Sequence, residues 1–216
     1  MPESYGLSLA FLTSVLLGMR HATDADHIVA VTTIIDRERS AWRSGRIGVM
    51  WGLGHTLTIC IVGGAILLFK VAFTARVGLS MEFSVALMLI VLGWLNLTRR
   101  PHAGAVVSHV RPFIVGMVHG LAGSAAATLL IVPFIGDVPL TVLYLVAFGV
   151  GTMVGMAVVT IAIATPAVYA GAHLPRLHDQ IRFASGALSL IFGVYLGYRI
   201  GFIDGLFTAT PIWSPQ

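Results

Sequence analysis

Two histidines and two aspartates fall within seven residues: His21, Asp24, Asp26 and His27, in the run Arg20-His21-Ala22-Thr23-Asp24-Ala25-Asp26-His27-Ile28. The flanking stretches, Tyr5 to Met19 and Ile28 to Ile35, carry no charge. Ionisable groups at membrane depth are expensive and mark ion or substrate paths. Imidazole nitrogen with carboxylate oxygen is a ligand set for borderline divalent metals such as nickel, cobalt and zinc. The chemistry implied is metal capture inside a membrane helix. The competing reading is an interfacial polar segment at a helix end, against which stands the absence of lysine. At about 100° per residue, His21, Asp24 and His27 share one narrow stripe. Asp26 then points elsewhere and orients a histidine, as carboxylates beside metal-bound imidazoles do. A break in the helix would instead let all four converge.

Two further histidines lie in apolar surroundings. His55 follows Trp51-Gly52-Leu53-Gly54, and small residues there allow close helix approach. It is expected to face the first helix and to supply a ligand from a second one, the alternative being a structural histidine bonded to a carbonyl. His119 lies in a later apolar run and is a candidate ligand or gate. Arg20 either pairs with Asp24, four residues on, or snorkels to the interface.

The elements that must position these groups are membrane helices. Of 216 residues, 57% are hydrophobic and only 10% charged, with mean hydropathy +0.92. A soluble domain carries about 25% charged residues. The expected fold class is an all-α integral membrane protein, one transmembrane domain over 1–216, with six transmembrane helices. The apolar segments span about Tyr5–Ile35, Gly48–Phe73, Phe83–Thr98, Phe113–Phe134, Leu140–Val168 and Phe183–Ile203. The first is longer than the roughly 20 residues a bilayer needs, so it is tilted, broken or extended. Pro166 is expected to end or kink the fifth. Asn96, Asp137 and Asp204 read as interfacial, His102 and His109 as solvated, and the single Cys60 as a packing residue that rules out an intrachain disulfide. Residues 1–20 lack a basic leader region, so no cleaved signal peptide is expected.

Lysine and arginine set the orientation. The odd loops hold Arg37, Arg39, Arg43 and Arg46, then Arg99, Arg100 and Arg111, then Arg176 and Arg182; the even loops hold only Lys70 and Arg76. The odd loops are therefore cytoplasmic and both termini outside. The net charge of +4 follows from these loops and does not point to nucleic acid.

The run Arg20 to Ile28 resembles the signature helix of the nickel/cobalt transporter family, written R-H-A-x-D-A-D-H-I, at every position. Gly54-His55-Thr56 resembles the same family's G-H-S/T motif in the following helix. The resemblance covers roughly the first 60 residues. The L-G-x-D-T-A-T-E motif, the extra N-terminal helix and the histidine-rich loop of the long members are missing. His119-Gly120-Leu121-Ala122-Gly123-Ser124 stands at the later position, which is similar to the shorter six-helix, nickel-permease-like relatives found with urease accessory genes. The resemblance implies a cell-membrane, multi-pass protein of a bacterial or archaeal inner membrane, with Ni²⁺ or Co²⁺ as substrate and the lipid bilayer as surroundings. A homo-oligomer, and hand-over of the ion to a nickel-enzyme maturation system, are compatible with it.

The two halves also resemble each other. Gly18 to Ala22 aligns with Gly116 to Gly120, Trp51 to Gly54 with Phe148 to Gly151, and Phe83 to Gly93 with Phe183 to Gly193, at offsets of 98, 97 and 100. Three helices per half is an odd number, so the halves insert in opposite directions. The expectation is an inverted 3+3 repeat, about 5–98 and 111–203, with a site near midplane between the halves. His119 is then the mate of His21, whereas Gly120 to Ala127 supplies no acid to match the aspartates.

The function expected is transport of a divalent ion by a secondary permease, with His21, His27 and His55 as neutral ligands and Asp24 or Asp26 supplying charge. No nucleotide-binding motif of the P-loop type is present, and no resident cofactor is expected. Ligation needs neutral imidazoles, so affinity should fall as pH drops through about 6.5. Alternatives are efflux by the same site, a metal donor for enzyme maturation, or an intramembrane zinc metalloenzyme, which would need a general base beyond the ligands.

Overall fold

The computed structural model describes residues 2–35, 40–69, 74–98, 110–131 and 138–213. His102, His109, Asp137, Lys70, Arg99, Arg100 and the stretch 36–39 lie outside the described residues. Among the described residues, seven α-helices follow one another: α1 Pro2–His21, α2 Ala25–Ile34, α3 Ala41–Phe69, α4 Ala75–Thr98, α5 Val110–Ile131, α6 Val138–His173 and α7 Pro175–Tyr198. A π-helical turn, Arg199–Ile203, extends α7. The described residues contain no strand. Four stretches among the described residues are long and apolar enough to cross a membrane: Ala41–Ala65, Ala75–Thr98, Pro139–Tyr169 and Asp179–Ile203. Large apolar side chains such as Phe11, Leu16, Val158, Phe183 and Ile191 face outward. A water-facing surface would keep such residues scattered; a lipid-facing one is built from them.

Several expected boundaries shift. The first apolar segment is two helices, because the chain breaks at residues 22–24. Arg43 and Arg46 belong to α3, Arg76 to α4 and Arg182 to α7, so the loops are shorter than charge placement suggested. Pro166 does not end its helix; α6 continues to His173. A proline removes one backbone donor, and the packed helix tolerates that loss.

Asn96 corrects another expectation. It is buried, not interfacial: its Nδ2 donates to Ser185 Oγ at 3.2 Å and to the Arg182 carbonyl at 3.4 Å, while Arg182 Nη1 donates to the Asn96 carbonyl at 3.2 Å. These bonds tie α4 to α7. Asn96→Leu should lower stability by about 1–2 kcal/mol, because buried partners are left unsatisfied. Thermal unfolding in detergent would measure this, and an unchanged midpoint would count against it. Asp204 is half-buried, 3.7 Å from Arg199. Just beyond it, Gly205 adopts φ 86° and turns the chain back, so that Trp213 Nε1 donates to Glu82 Oε1 at 2.8 Å.

Helix α3 packs on α5 and α6, α1 on α6, and α4 on α7. These contacts are backbone-close and occur in corresponding pairs. Gly18 of α1 lies on the Phe148 carbonyl of α6, and Gly116 of α5 lies on the Trp51 carbonyl of α3. Gly151 lies on the Val15 carbonyl, and Gly54 on the Phe113 carbonyl. Gly93 and Gly193 face the backbone of Leu190 and Ile90. Each contact maps onto its partner under the offsets read between the halves. Only a residue without Cβ permits such an approach.

Candidate metal centre

The break after α1 is local chemistry. Threonine and aspartate offer the backbone alternative partners and so favour helix ends. Thr23 donates its hydroxyl to the Arg20 carbonyl at 2.6 Å and its N–H to the same oxygen at 2.9 Å. Asp24 then adopts an extended conformation, φ −62° and ψ 150°, and α2 begins. Asp26 sits in the first turn of α2, where the positive end of the helix dipole favours a carboxylate.

The break changes which carboxylate faces inward. The expected stripe of His21, Asp24 and His27 does not form. Asp24 turns to the rim, its side chain 52% exposed, and its Oδ2 meets His21 Nδ1 at 2.7 Å. Of the two alternatives for Arg20, the pairing with Asp24 is therefore not the one seen: Asp24 pairs with His21. Asp26 turns inward. Its Oδ1 accepts the His27 backbone N–H at 3.0 Å and approaches His27 Nδ1 at 3.1 Å; its Oδ2 lies 2.9 Å from His119 Nε2.

Four imidazoles thus gather from α1, α2, α3 and α5. Ring centroids are 4.6 Å apart for His21 and His27, 4.2 Å for His27 and His119, 5.2 Å for His21 and His55, and 5.3 Å for His27 and His55. His27, His55 and His119 are at most 1% exposed. Two residues overlooked as site components wall the cluster. Trp51 stacks on His27 at 5.5 Å and meets His119 edge-on at 5.6 Å, and Phe148 lies 5.7 Å from His21. Trp51 stands one helical turn before His55, and Phe148 is its aligned counterpart in the second half; those two signals were available in the sequence.

An ionised carboxylate only accepts hydrogen bonds, so each imidazole nitrogen touching one carries the proton and the opposite nitrogen offers a lone pair. That assignment follows from the hydrogen-bond network. It leaves His21 Nε2, His27 Nε2, His119 Nδ1 and both nitrogens of His55 buried without a protein partner. Each such atom costs about 1–3 kcal/mol, and protein interiors rarely tolerate several together. A cation that accepts lone pairs reduces the cost for the nitrogens that present one; on His55 that is one of the two. Two groups can hold one, His21 with His27 and His55, and Asp26 with His27 and His119, the donor atoms of each lying within 4.8 Å of one another. Zinc–nitrogen bonds of about 2.0–2.1 Å place tetrahedral donors about 3.4 Å apart, so small side-chain rotations suffice.

A buried histidine–carboxylate cluster inside a bundle of long apolar helices marks a helical protein of membrane type whose cluster could hold a metal ion. The urease accessory protein UreH from Bacillus sp. (strain TB-90) is 32% identical over 218 residues, spanning 92% of this chain and 95% of that protein. The chain belongs to the family of that urease accessory protein. No protein-family model matches it, and no solved structure does.

Proposed function

We propose that the chain is a secondary permease for a divalent transition-metal ion, Ni²⁺ first and Co²⁺ second. The observation that carries this reading is the set of five buried ring nitrogens without protein partners, converging between apolar helices. His21, His27 and His55 supply neutral nitrogen donors, Asp26 supplies charge and orientation, and Asp24 orients His21. A carboxylate offsets part of the cost of bringing a divalent ion into low dielectric. Ligand chemistry does not choose the metal, since intrinsic affinity rises from Co²⁺ through Ni²⁺ to Cu²⁺. Nickel comes from the resemblance of the Arg20–Ile28 motif, and the urease accessory relative accords with it. The same relative supports hand-over of the ion to an enzyme-maturation system.

The corresponding glycine contacts, and the matching aromatic pairs Trp51–His119 and Phe148–His21, support six membrane helices in an inverted 3+3 repeat. The proposed setting is a cell membrane, with odd loops cytoplasmic and both termini outside. A metalloenzyme is disfavoured: the half-buried carboxylates Asp26 and Glu82 are engaged, Asp26 by two histidines and Glu82 by Trp213.

Radiolabelled nickel uptake by expressing cells tests the proposal. His21→Ala and His27→Ala, at membrane abundance matched to wild type, should abolish uptake, with nickel the best competitor, then cobalt, then zinc. Absence of uptake by wild type, with metal still bound to the purified protein, would shift the assignment to efflux or hand-over.

A further inference from the structure

We propose that His27 serves two alternative metal positions, one with His21 and His55 and one with Asp26 and His119, and that the ion passes between them by exchange across this one imidazole. The proposal rests on the permease reading and concerns the path within it.

The two donor groups share His27 and nothing else. His21 and His55 come from α1 and α3, whereas His119 comes from α5. The His27 ring lies between them, its centroid 4.6 Å from His21 on one side and 4.2 Å from His119 on the other. In the arrangement seen, Asp26 holds Nδ1 of His27 and Nε2 of His119, so the free nitrogen of His27 serves the first group. To serve the second group, His27 must present Nδ1, and its proton must sit on Nε2. A neutral imidazole carries one proton and one ligating lone pair, so it holds a metal on one side at a time. Asp26 has a matching double role. It is the hydrogen-bond acceptor that orients His27 while the first position is filled, and a ligand once the ion has moved. No net proton is gained or lost in the exchange: one ring proton relocates between the two nitrogens of His27, and the His119 proton on Nε2 relocates to Nδ1. His119 Nδ1, buried without a partner in the present arrangement, is the atom that receives it. Neither position holds the ion by all the donors present, which keeps binding weak enough for release.

The test is Co²⁺ binding to the purified full-length protein in detergent, by equilibrium dialysis and visible absorption. Wild type should bind one Co²⁺ per chain. His55→Ala and His119→Ala should each lose about 3-fold in affinity or less, because the other position remains, and their product would stay at about 10-fold if the two acted independently. The double variant should lose about 100-fold or more, as should His27→Gln, a non-additivity expected of alternatives sharing one residue. The two single variants should differ in spectrum, since His55→Ala retains an oxygen donor and His119→Ala an all-nitrogen set. If an alanine variant aggregates on gel filtration, asparagine at that position replaces it, keeping a polar side chain without the imidazole. Two Co²⁺ per wild-type chain would overturn the proposal. So would a His55→Ala loss already equal to that of the double variant, which means a single position; uptake would then still stand on its own assay. The two-position pattern without nickel uptake would support the two positions while shifting the direction of transport to efflux or hand-over. A wild type that binds no Co²⁺ removes both.

Discussion

Asp26→Ala should abolish nickel uptake and weaken metal binding by about 100-fold or more, whereas Asp24→Ala should cost about 10-fold. The two carboxylates are two residues apart in an identical motif, yet the structure gives them unequal work. Asp26 accepts from the His27 backbone, reaches the His27 ring and reaches the His119 ring. Losing it frees two buried imidazoles to rotate and removes the inward negative charge. A single carboxylate partner of a metal-bound histidine is worth about 10–100-fold, and Asp26 serves two. Asp24 orients His21 alone, from a half-exposed position where water screens the interaction. Uptake and Co²⁺ affinity of both variants at matched abundance decide the matter. Equal losses would mean that the ion sits at the rim rather than among the buried imidazoles.

That asymmetry shows where the sequence stops being readable. Residue types and spacing single out His21, His27, His55 and His119, because ionisable groups are costly in apolar helices, and the structure brings their rings together. Which aspartate faces inward depends on three backbone dihedral pairs between His21 and Ala25. The threonine and aspartate there do favour a break, but a regular helix remained equally open. Trp51 and Phe148 are legible as walls of the site only through their position, one turn before His55 and at the aligned place in the second half, because an aromatic residue in an apolar helix is otherwise ordinary packing. Asn96 was misplaced for a related reason. Its position near a helix end suggested the interface, and nothing local reveals that Ser185 and the Arg182 backbone wait opposite on α7. Helix boundaries near arginines failed similarly, since hydropathy marks the bilayer core and not where hydrogen bonding ends. The internal likeness, by contrast, rests on glycines, and glycines at fixed offsets record backbone contacts directly.

Those glycines carry the second large prediction. Gly18→Leu and Gly116→Leu should each leave little folded protein in the membrane, while Gly64→Leu should accumulate as wild type does. A Cβ at Gly18 would meet the Thr152 amide nitrogen at 2.8 Å as well as the Phe148 carbonyl, and one at Gly116 would meet Trp51 Cδ1 at 2.8 Å as well as the Trp51 carbonyl. Backbone atoms of packed helices cannot step aside as a flexible side-chain tip can. Overpacking ordinary cores costs about 1–3 kcal/mol; separating two helices costs more, against a total stability of about 5–15 kcal/mol. Nothing lies within 4 Å of a Cβ at Gly64, so the same substitution there adds an apolar side chain in open space. Membrane abundance and gel-filtration profile read the outcome, and similar losses at Gly18 and Gly116 are what two equivalent halves require. The milder Gly18→Ala ties packing to chemistry. Gly18 stands three residues before His21, and Gly116 three before His119. A methyl that pushes α1 from α6 therefore also moves a metal donor. Gly18→Ala protein that still inserts should bind Co²⁺ more weakly than wild type, and unchanged affinity would show that α1 does not set the position of His21.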